Sequence, residues 1–196
     1  PLKTDFNGKT IITNPMPSPG GTLIAFALKI ISRKFPGKEI NNRLLTLVMR
    51  LAQTARSEVI SAKNKTDSLA EILSPIYFKR FLDFFDSEIS LKPNKEKLCS
   101  GSTTHMSIID SQGSAASVTT TNGEGCGYII PGTGIMINNM LGEEDLNPDG
   151  FHNWETTKRM ETMMSPTIVI GDFGPELVLG SGGSNRIRSA IKQVIL

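Results

Sequence analysis

Two kinds of hydrophobic pattern divide the chain near residue 100. Residues 22–34 and 42–62 carry apolar side chains three and four positions apart with few breakers, which predicts two amphipathic helices. Further helical pieces are expected within 67–86, where the same spacing recurs. The polar segment 87–102 has neither a helical nor a strand period, so we predict a linker there.

Beyond the linker the pattern changes to short alternating or β-branched runs separated by turn residues. Residues 105–110 and 114–121, joined by a Ser-Gln-Gly turn, predict a β-hairpin with Thr103 at its mouth. The remaining predicted elements are strands at 166–171 and 176–179 and a helix at 186–196. Helices followed by strands are typical of an α+β fold.

Composition follows the same division. Of the 18 glycines, 4 lie in residues 1–100 and 14 in residues 101–196. With 196 residues and 38% hydrophobic content, the chain is long enough to bury a core. No apolar run is long enough to span a membrane, and no signal-peptide pattern opens the chain, so the compartment stays open.

Charge argues against a nucleic-acid partner. Residues 1–100 hold 16 Lys and Arg against 9 Asp and Glu, a balance of +7, and residues 101–196 hold 5 against 10, a balance of −5. The basic residues are scattered among apolar ones, and only two Tyr and one Trp offer stacking surfaces. Neither feature is typical of a nucleic-acid-binding face.

Metal-binding patterns are incomplete. Residues 145–150 match the opening of an EF-hand calcium loop, but the twelfth position is Thr156 instead of a glutamate. We therefore expect a surface turn. The other candidate ligands lack metal-site spacing; they are Cys99, His105, Cys126 and His152. No metal or other cofactor is predicted.

The Gly-rich segment 180–184 lies between a predicted strand and a predicted helix. Its backbone N–H groups would suit an oxyanion, and a plain β-to-α turn is the alternative. The segment 102–105, Ser-Thr-Thr-His, is by itself an ordinary turn before a strand.

Several short sequence motifs follow one another along the chain and include these segments. The motifs are 103–110, 117–121, 131–135, 138–139, 165–167 and 180–183, preceded by a Pro-rich segment ending in Gly-Gly at 14–21. In this order they resemble gamma-glutamyltranspeptidases. The resemblance implies an N-terminal nucleophile hydrolase with an α-β-β-α sandwich, here incomplete at both ends.

The resemblance also implies a division of the chain. Residues 1–102 would be the end of the large (alpha) subunit and residues 103–196 the start of the small (beta) subunit, produced when a precursor cuts itself between Ser102 and Thr103. A threonine hydroxyl is a weak nucleophile that needs a nearby base. The α-amine liberated by this cut has a pKa near 8 and would be that base.

Residue roles follow by position in the family motifs. Thr121 would hydrogen-bond the nucleophile, and the N–H groups of Gly183 and Ser184 would hold the oxyanion. The implied substrate-binding residues are Asn122, Glu143, Thr162 and Gly182. The implied partners are a small γ-glutamyl donor such as glutathione, water or an amine as acceptor, and the flanking parts of the precursor; a homo-oligomer is left open.

Several positions depart from the family pattern, Met140, Met163 and Ser184 among them. Met140 stands where the family has a glutamine, Met163 where it has a serine, and Ser184 where it has a glycine. The family's carboxylate-binding arginine belongs to a part absent from this sequence. Because exchange of polar pocket groups redirects specificity, another amide donor and a non-catalytic relative are the alternatives to a γ-glutamyl enzyme.

Overall fold

The computed structural model describes residues 1–61, 72–86, 103–143, 146–147, 150–154, 156–157 and 159–196. Its helices are α1 (Pro19–Lys34), α2 (Asn42–Ser61), α3 (Pro75–Asp86) and α4 (Ile187–Ile195). Its strands are β1 (Leu2–Phe6), β2 (Lys9–Thr13), β3 (Thr103–Ile109), β4 (Ala115–Thr121), β5 (Thr167–Gly171) and β6 (Gly174–Leu179). The predicted α+β class is confirmed. The linker predicted at 87–102, Ser102 included, and residues 62–71 lie outside the described residues.

One antiparallel sheet joins the two ends of the chain. Its strand order is β1-β2-β5-β6, and β2 pairs with β5 in a register that sets Ile11 opposite Val169. The β1–β2 hairpin turns at Asn7 and Gly8, both with positive φ, and is missing from the predicted elements. An Asn-Gly turn between alternating runs is a strong hairpin signal and would have found it. The sheet thus combines residues from both sides of position 102.

Helix α1 is the centre of the hydrophobic core. It begins at Pro19, three residues before the predicted start, because proline fits the first turn of a helix. Nearly every side chain from Leu23 to Leu28 is fully buried, and α1 contacts β1, α2, α3 and α4. Phe26 packs edge-to-face on Phe78 and Phe81 of α3, with ring centroids 5.9 and 5.3 Å away.

The hairpin β3–β4 lies against β5 and β6 and adds no side chain to this core among the described residues. Its first strand begins at Thr103, which therefore lies within the ladder and not before it. The half-buried face presents Thr, His and Ser side chains. On the opposite face Met106, Ile108 and Val118 are 49%, 60% and 44% exposed. The apolar face of the hairpin is thus turned away from the rest of the described structure.

The remaining predicted elements are found close to their expected bounds. The second hairpin comprises β5 and β6, and the closing helix is α4. Of the calcium-loop-like segment, Asp145, Pro148 and Asp149 lie outside the described residues, while the Asn147 side chain donates to the carbonyls of Leu141 and Glu143. Among the helices within the described residues, none combines the length and the apolar content required to cross a bilayer.

Candidate active site

Thr103 and Thr121 face each other in the β3–β4 hairpin. They form the outermost cross-strand pair, and the Thr103 hydroxyl donates to Thr121 Oγ1 over 3.2 Å. Both residues are half-buried. Since β-branched threonine restricts its own χ1, this contact defines the direction in which the Thr103 hydroxyl points.

A turn held by asparagines fixes the position of Thr121. The backbone N–H of Gly123 donates to Thr121 Oγ1 over 3.1 Å, and Asn138 Nδ2 donates to the Thr121 carbonyl over 2.5 Å. Asn139 Oδ1 accepts from the N–H groups of Glu124 and Gly125, at 3.0 and 2.9 Å. Two neighbouring side chains thus fasten the end of β4.

The Gly-rich loop at 180–184 runs directly beside Thr103. A Cβ added at Gly182 would lie 2.5 Å from the Thr103 carbonyl oxygen, so only glycine permits this approach. Gly183 and Ser184 both have positive φ, of 107° and 51°. Within the described residues neither backbone N–H donates a hydrogen bond, so both are available to an oxyanion.

Side chains of the hairpin fasten the strand that leads into this loop. Ser117 Oγ donates to the Leu179 carbonyl over 3.0 Å and accepts from the Thr167 N–H over 3.1 Å. Ser117 therefore ties β4 to both β5 and β6 just before the loop begins.

His105 lies between Ser117 and Thr103 on the same face of the hairpin. Its Nδ1 is 2.8 Å from Thr119 Oγ1, and its Nε2 is 2.8 Å from Ser107 Oγ. The imidazole ring fills the space where a Cβ of Gly180 would be. Burial lowers the pKa of His105, so the neutral ring is favoured.

Helix α2 contacts residues that follow the loop. Arg56 Nη1 donates to Asn185 Oδ1 over 3.4 Å, and Arg188 Nη2 donates to Gln53 Oε1 over 2.6 Å. Asn185 follows Ser184 directly. The part of the chain before residue 102 thus contacts the residues directly after the Gly-rich loop.

Most of the predicted substrate-binding residues are less closely connected to Thr103 than the Gly-rich loop is. Asn122 is exposed, and its carbonyl accepts from the N–H groups of Gly125 and Asn139. Glu143 is half-buried, and Thr162 Oγ1 accepts from the Met164 N–H over 3.1 Å. In the described part of the chain, no hydrogen bond joins any of these three to Thr103. Gly182 is the predicted substrate-binding residue that does contact Thr103.

The described residues contain no group of three His, Cys, Asp or Glu side chains close enough to hold a metal ion. Both nitrogens of His105 contact hydroxyl groups, and Cys126 is an exposed free thiol. Cys99 lies outside the described residues.

Sequence reasoning missed the side chains that position the site. Ser117, His105 and Asn139 all support the loop or the turn, although none was assigned a role there. The sequence signal was alternation along both strands. Polar side chains occupy every second position, and they form one face of the hairpin: Thr103, His105 and Ser107 on β3, and Ser117, Thr119 and Thr121 on β4.

Comparison with known proteins finds similarity over the whole length of the chain. The family model described as gamma-glutamyltranspeptidase matches residues 1–196. The chain is 30% identical to a glutathione hydrolase proenzyme of Pseudomonas aeruginosa, covering 100% of this chain and 39% of that protein. It is 28% identical to the capsule biosynthesis protein CapD proenzyme of Bacillus anthracis, covering 100% of this chain and 36% of that protein.

Among solved structures, the chain resembles a cephalosporin acylase from Bacillus halodurans. The TM-score is 0.69 at 21% identity, and the match covers 100% of this chain and 36% of the acylase. This likeness confirms the predicted N-terminal nucleophile hydrolase fold. The chain spans about two-fifths of the length of the curated relatives it matches. With the motif order, the fold and the full-length family match in agreement, the chain belongs to the gamma-glutamyltranspeptidase family.

Proposed function

We propose that the complete protein is a self-processing γ-glutamyl transferase or hydrolase whose nucleophile is the Thr103 hydroxyl. The observation that carries the proposal is the position of Thr103: its hydroxyl is bonded to Thr121, and the loop with two unused N–H groups packs on its backbone. A nucleophile beside oxyanion donors is the arrangement that acyl transfer requires.

The first reaction is the cut before residue 103. Thr103 Oγ1 attacks the carbonyl carbon of Ser102, the peptide C–N bond breaks, and the nitrogen takes up the hydroxyl proton. The resulting ester is hydrolysed by water, which leaves a carboxylate on Ser102 and restores the hydroxyl. Thr103 then carries a primary amine in place of its peptide nitrogen, and this division separates residues 1–102 from 103–196.

The second reaction uses that amine as a base. It accepts the hydroxyl proton while Oγ1 bonds to the γ-carbonyl carbon of the donor, and the N–H groups of Gly183 and Ser184 stabilise the oxyanion. The amide C–N bond of the donor then breaks, and the protonated amine returns a proton to the leaving nitrogen. Water or an amine finally attacks the acyl-enzyme and releases Thr103. Loss of one oxyanion donor costs about 100- to 1,000-fold in such reactions.

The donor is proposed to bind through Asn122, Glu143 and Thr162. A carboxylate at Glu143 suits the α-ammonium of a γ-glutamyl group, as an ion pair. The hydroxyl of Thr162 and the amide of Asn122 would contact the donor carboxylate, together with groups from parts of the protein beyond this chain.

A second candidate is an acylase for a different amide donor. Met140 is 7% exposed, and Met163 packs against the hydrophobic core. Both positions therefore hold an apolar side chain where the family has a polar one. The loss of these polar groups favours a less polar acyl group, because polar atoms of a γ-glutamyl donor would have fewer hydrogen-bond partners.

The rest of the precursor is the proposed partner of the apolar hairpin face. The exposed side chains of Met106, Ile108 and Val118 give this face apolar surface that a covering segment would remove from water. The relatives are more than twice as long as this chain, which gives ample further chain to cover it.

The test compares full-length protein with Thr103→Ala, Thr103→Ser and the matched control Thr104→Ala. Thr104 is the exposed neighbour on the opposite face of β3. On denaturing gels, wild type, Thr103→Ser and Thr104→Ala should yield two fragments, and Thr103→Ala should remain intact. Mass spectrometry should find threonine at the new N-terminus.

Turnover of a γ-glutamyl anilide, compared with an anilide of an apolar acyl group, then separates the two donors. Unchanged processing in Thr103→Ala would rule out the proposed nucleophile. Processed protein that turns over the apolar anilide alone would favour the second candidate.

A further inference from the structure

We propose that His105 is a positioning residue that sets the spacing between Thr103 and the Gly-rich loop 180–184. This inference rests on the proposed function, because it concerns the distance between the nucleophile and the oxyanion donors. His105 itself contacts neither Thr103 nor the loop N–H groups assigned to the oxyanion.

The loop meets the hairpin at three successive points. Leu179 is bonded through its carbonyl to Ser117, Gly180 packs on the ring of His105, and Gly182 packs on the backbone of Thr103. His105 is the middle contact, and it is two residues from Thr103 on the same face of β3. Replacement of the His105 ring by a smaller side chain would therefore shift the loop relative to Thr103.

The ring is held in one orientation from both ends. Thr119 Oγ1, on the cross-strand partner residue, contacts Nδ1, and Ser107 Oγ contacts Nε2. Since hydroxyl groups both donate and accept, the neutral ring satisfies both contacts in either tautomer. Burial lowers the pKa of His105, in keeping with a ring that stays uncharged.

Gly180 is the matching half of this contact. A Cβ at position 180 would overlap the imidazole, so any larger residue would push the loop away from the hairpin. A misplacement of about 1 Å in such a site costs roughly 100-fold in rate. Removal of the ring should make room for that same Cβ.

The experiment uses His105→Ala, Gly180→Ala and the double variant in the full-length protein. Acylation is measured in single turnovers with a γ-glutamyl anilide, and each rate is divided by the amount of processed Thr103 counted by mass spectrometry. We expect Gly180→Ala to slow acylation about 100-fold and His105→Ala about tenfold. The double variant should be at least tenfold faster than Gly180→Ala alone.

Two further variants test what the ring contributes. His105→Gln keeps a donor and an acceptor and should retain more activity than His105→Ala. His152→Ala, which removes the other, exposed histidine, should leave the acylation rate unchanged. Thermal unfolding of each variant reports whether the fold is intact.

The outcomes separate the two proposals. If the double variant loses the product of the two single losses, the residues act independently and the positioning role is wrong. If the wild-type protein is never acylated at Thr103, the proposed function is wrong, and the positioning role that rests on it is wrong as well. Compensation in the double variant, with wild-type acylation intact, supports both.

Discussion

Thr103 Oγ1 and Thr121 Oγ1 lie 3.2 Å apart across the first pair of the β3–β4 ladder. Thr121 Oγ1 also accepts from the Gly123 N–H, so one oxygen joins the proposed nucleophile to the turn after β4. The Thr103 hydroxyl is thereby oriented by the neighbouring strand and by the turn that the strand enters.

Replacement of Thr121 by valine should slow acylation of Thr103 by about tenfold or more. Valine keeps the shape of threonine but removes the acceptor for both bonds, and one hydrogen bond contributes about 1 kcal/mol. Single-turnover acylation of processed full-length protein is the measurement.

Thr121→Ser and Thr120→Val are the controls for this change. Serine keeps the oxygen, and Thr120 lies on the exposed face of β4. Both should stay within about threefold of wild type. Equal losses in Thr121→Val and Thr120→Val would show that the Thr121 hydroxyl has no orienting role.

Ser184→Gly should stabilise the protein by about 0.5–1 kcal/mol. Ser184 has φ of 51°, a left-handed conformation that costs a residue with a Cβ about 1–2 kcal/mol. Glycine avoids this cost, but its greater chain entropy in the unfolded state offsets part of the gain. The free energy of unfolding in urea measures the change. The backbone N–H remains, so the proposed oxyanion donor is kept.

Ser181→Gly is the matched control in the same loop. Ser181 is not among the residues with positive φ, and its hydroxyl donates to the Gly182 carbonyl. Glycine there should destabilise the protein by about 0.5–1 kcal/mol. A stabilising effect of equal size at both positions would contradict the conformational explanation.

Asn139→Leu should free the turn that supports Thr121. The substitution removes the Asn139 acceptor of the Glu124 N–H and leaves the Gly125 N–H with the Asn122 carbonyl alone, so it should cost about 1–3 kcal/mol. Hydrogen exchange at these two amides is the local measurement, and the Glu124 amide should show the larger acceleration because Gly125 keeps the Asn122 carbonyl.

Asn139→Asp keeps an oxygen acceptor and should protect the two amides nearly as well as asparagine. Asn122→Leu, an exposed neighbour that bonds through its carbonyl, should leave their exchange unchanged. Loss of protection in Asn122→Leu, or none in Asn139→Leu, would contradict the role of Asn139.

Lys192→Met should raise stability at pH 7 and flatten its pH dependence. Burial, with a smaller contribution from the charge of Arg188, lowers the pKa of Lys192 from 10.5 to about 7. Between these values the unfolded chain binds more protons than the folded one, so wild-type stability rises with pH by up to about 1.4 kcal/mol per unit. Below about pH 7 both states are protonated and the full penalty remains.

Urea unfolding between pH 7 and 10 checks this prediction. The advantage of Lys192→Met should shrink as the pH approaches 10.5, whereas Lys3→Met, at an exposed lysine, should follow the wild type. A difference in stability between Lys192→Met and wild type that does not vary with pH would mean that burial does not destabilise the charged form of Lys192.

The amino-acid sequence determined the elements and the residue types of the candidate site. Apolar spacing in 22–34 and 42–62 specifies helices, and turn residues between alternating runs specify both hairpins of the second half, since these signals act over a few residues. The motif order placed Thr103, Thr121 and the Gly-rich loop in one family pattern before any contact was known.

Only the tertiary structure decided which face of the hairpin meets the rest of the molecule. Alternation in β3 and β4 shows that the two faces differ, but not that the polar face carrying His105 and Ser117 is the covered one. That choice depends on Leu179 and Gly180, residues more than 60 positions from Ser117 or His105. Long-range packing of this kind, like the pairing of Ile11 with Val169, leaves no periodic trace in the chain because each partner satisfies its own local pattern regardless of what it packs against.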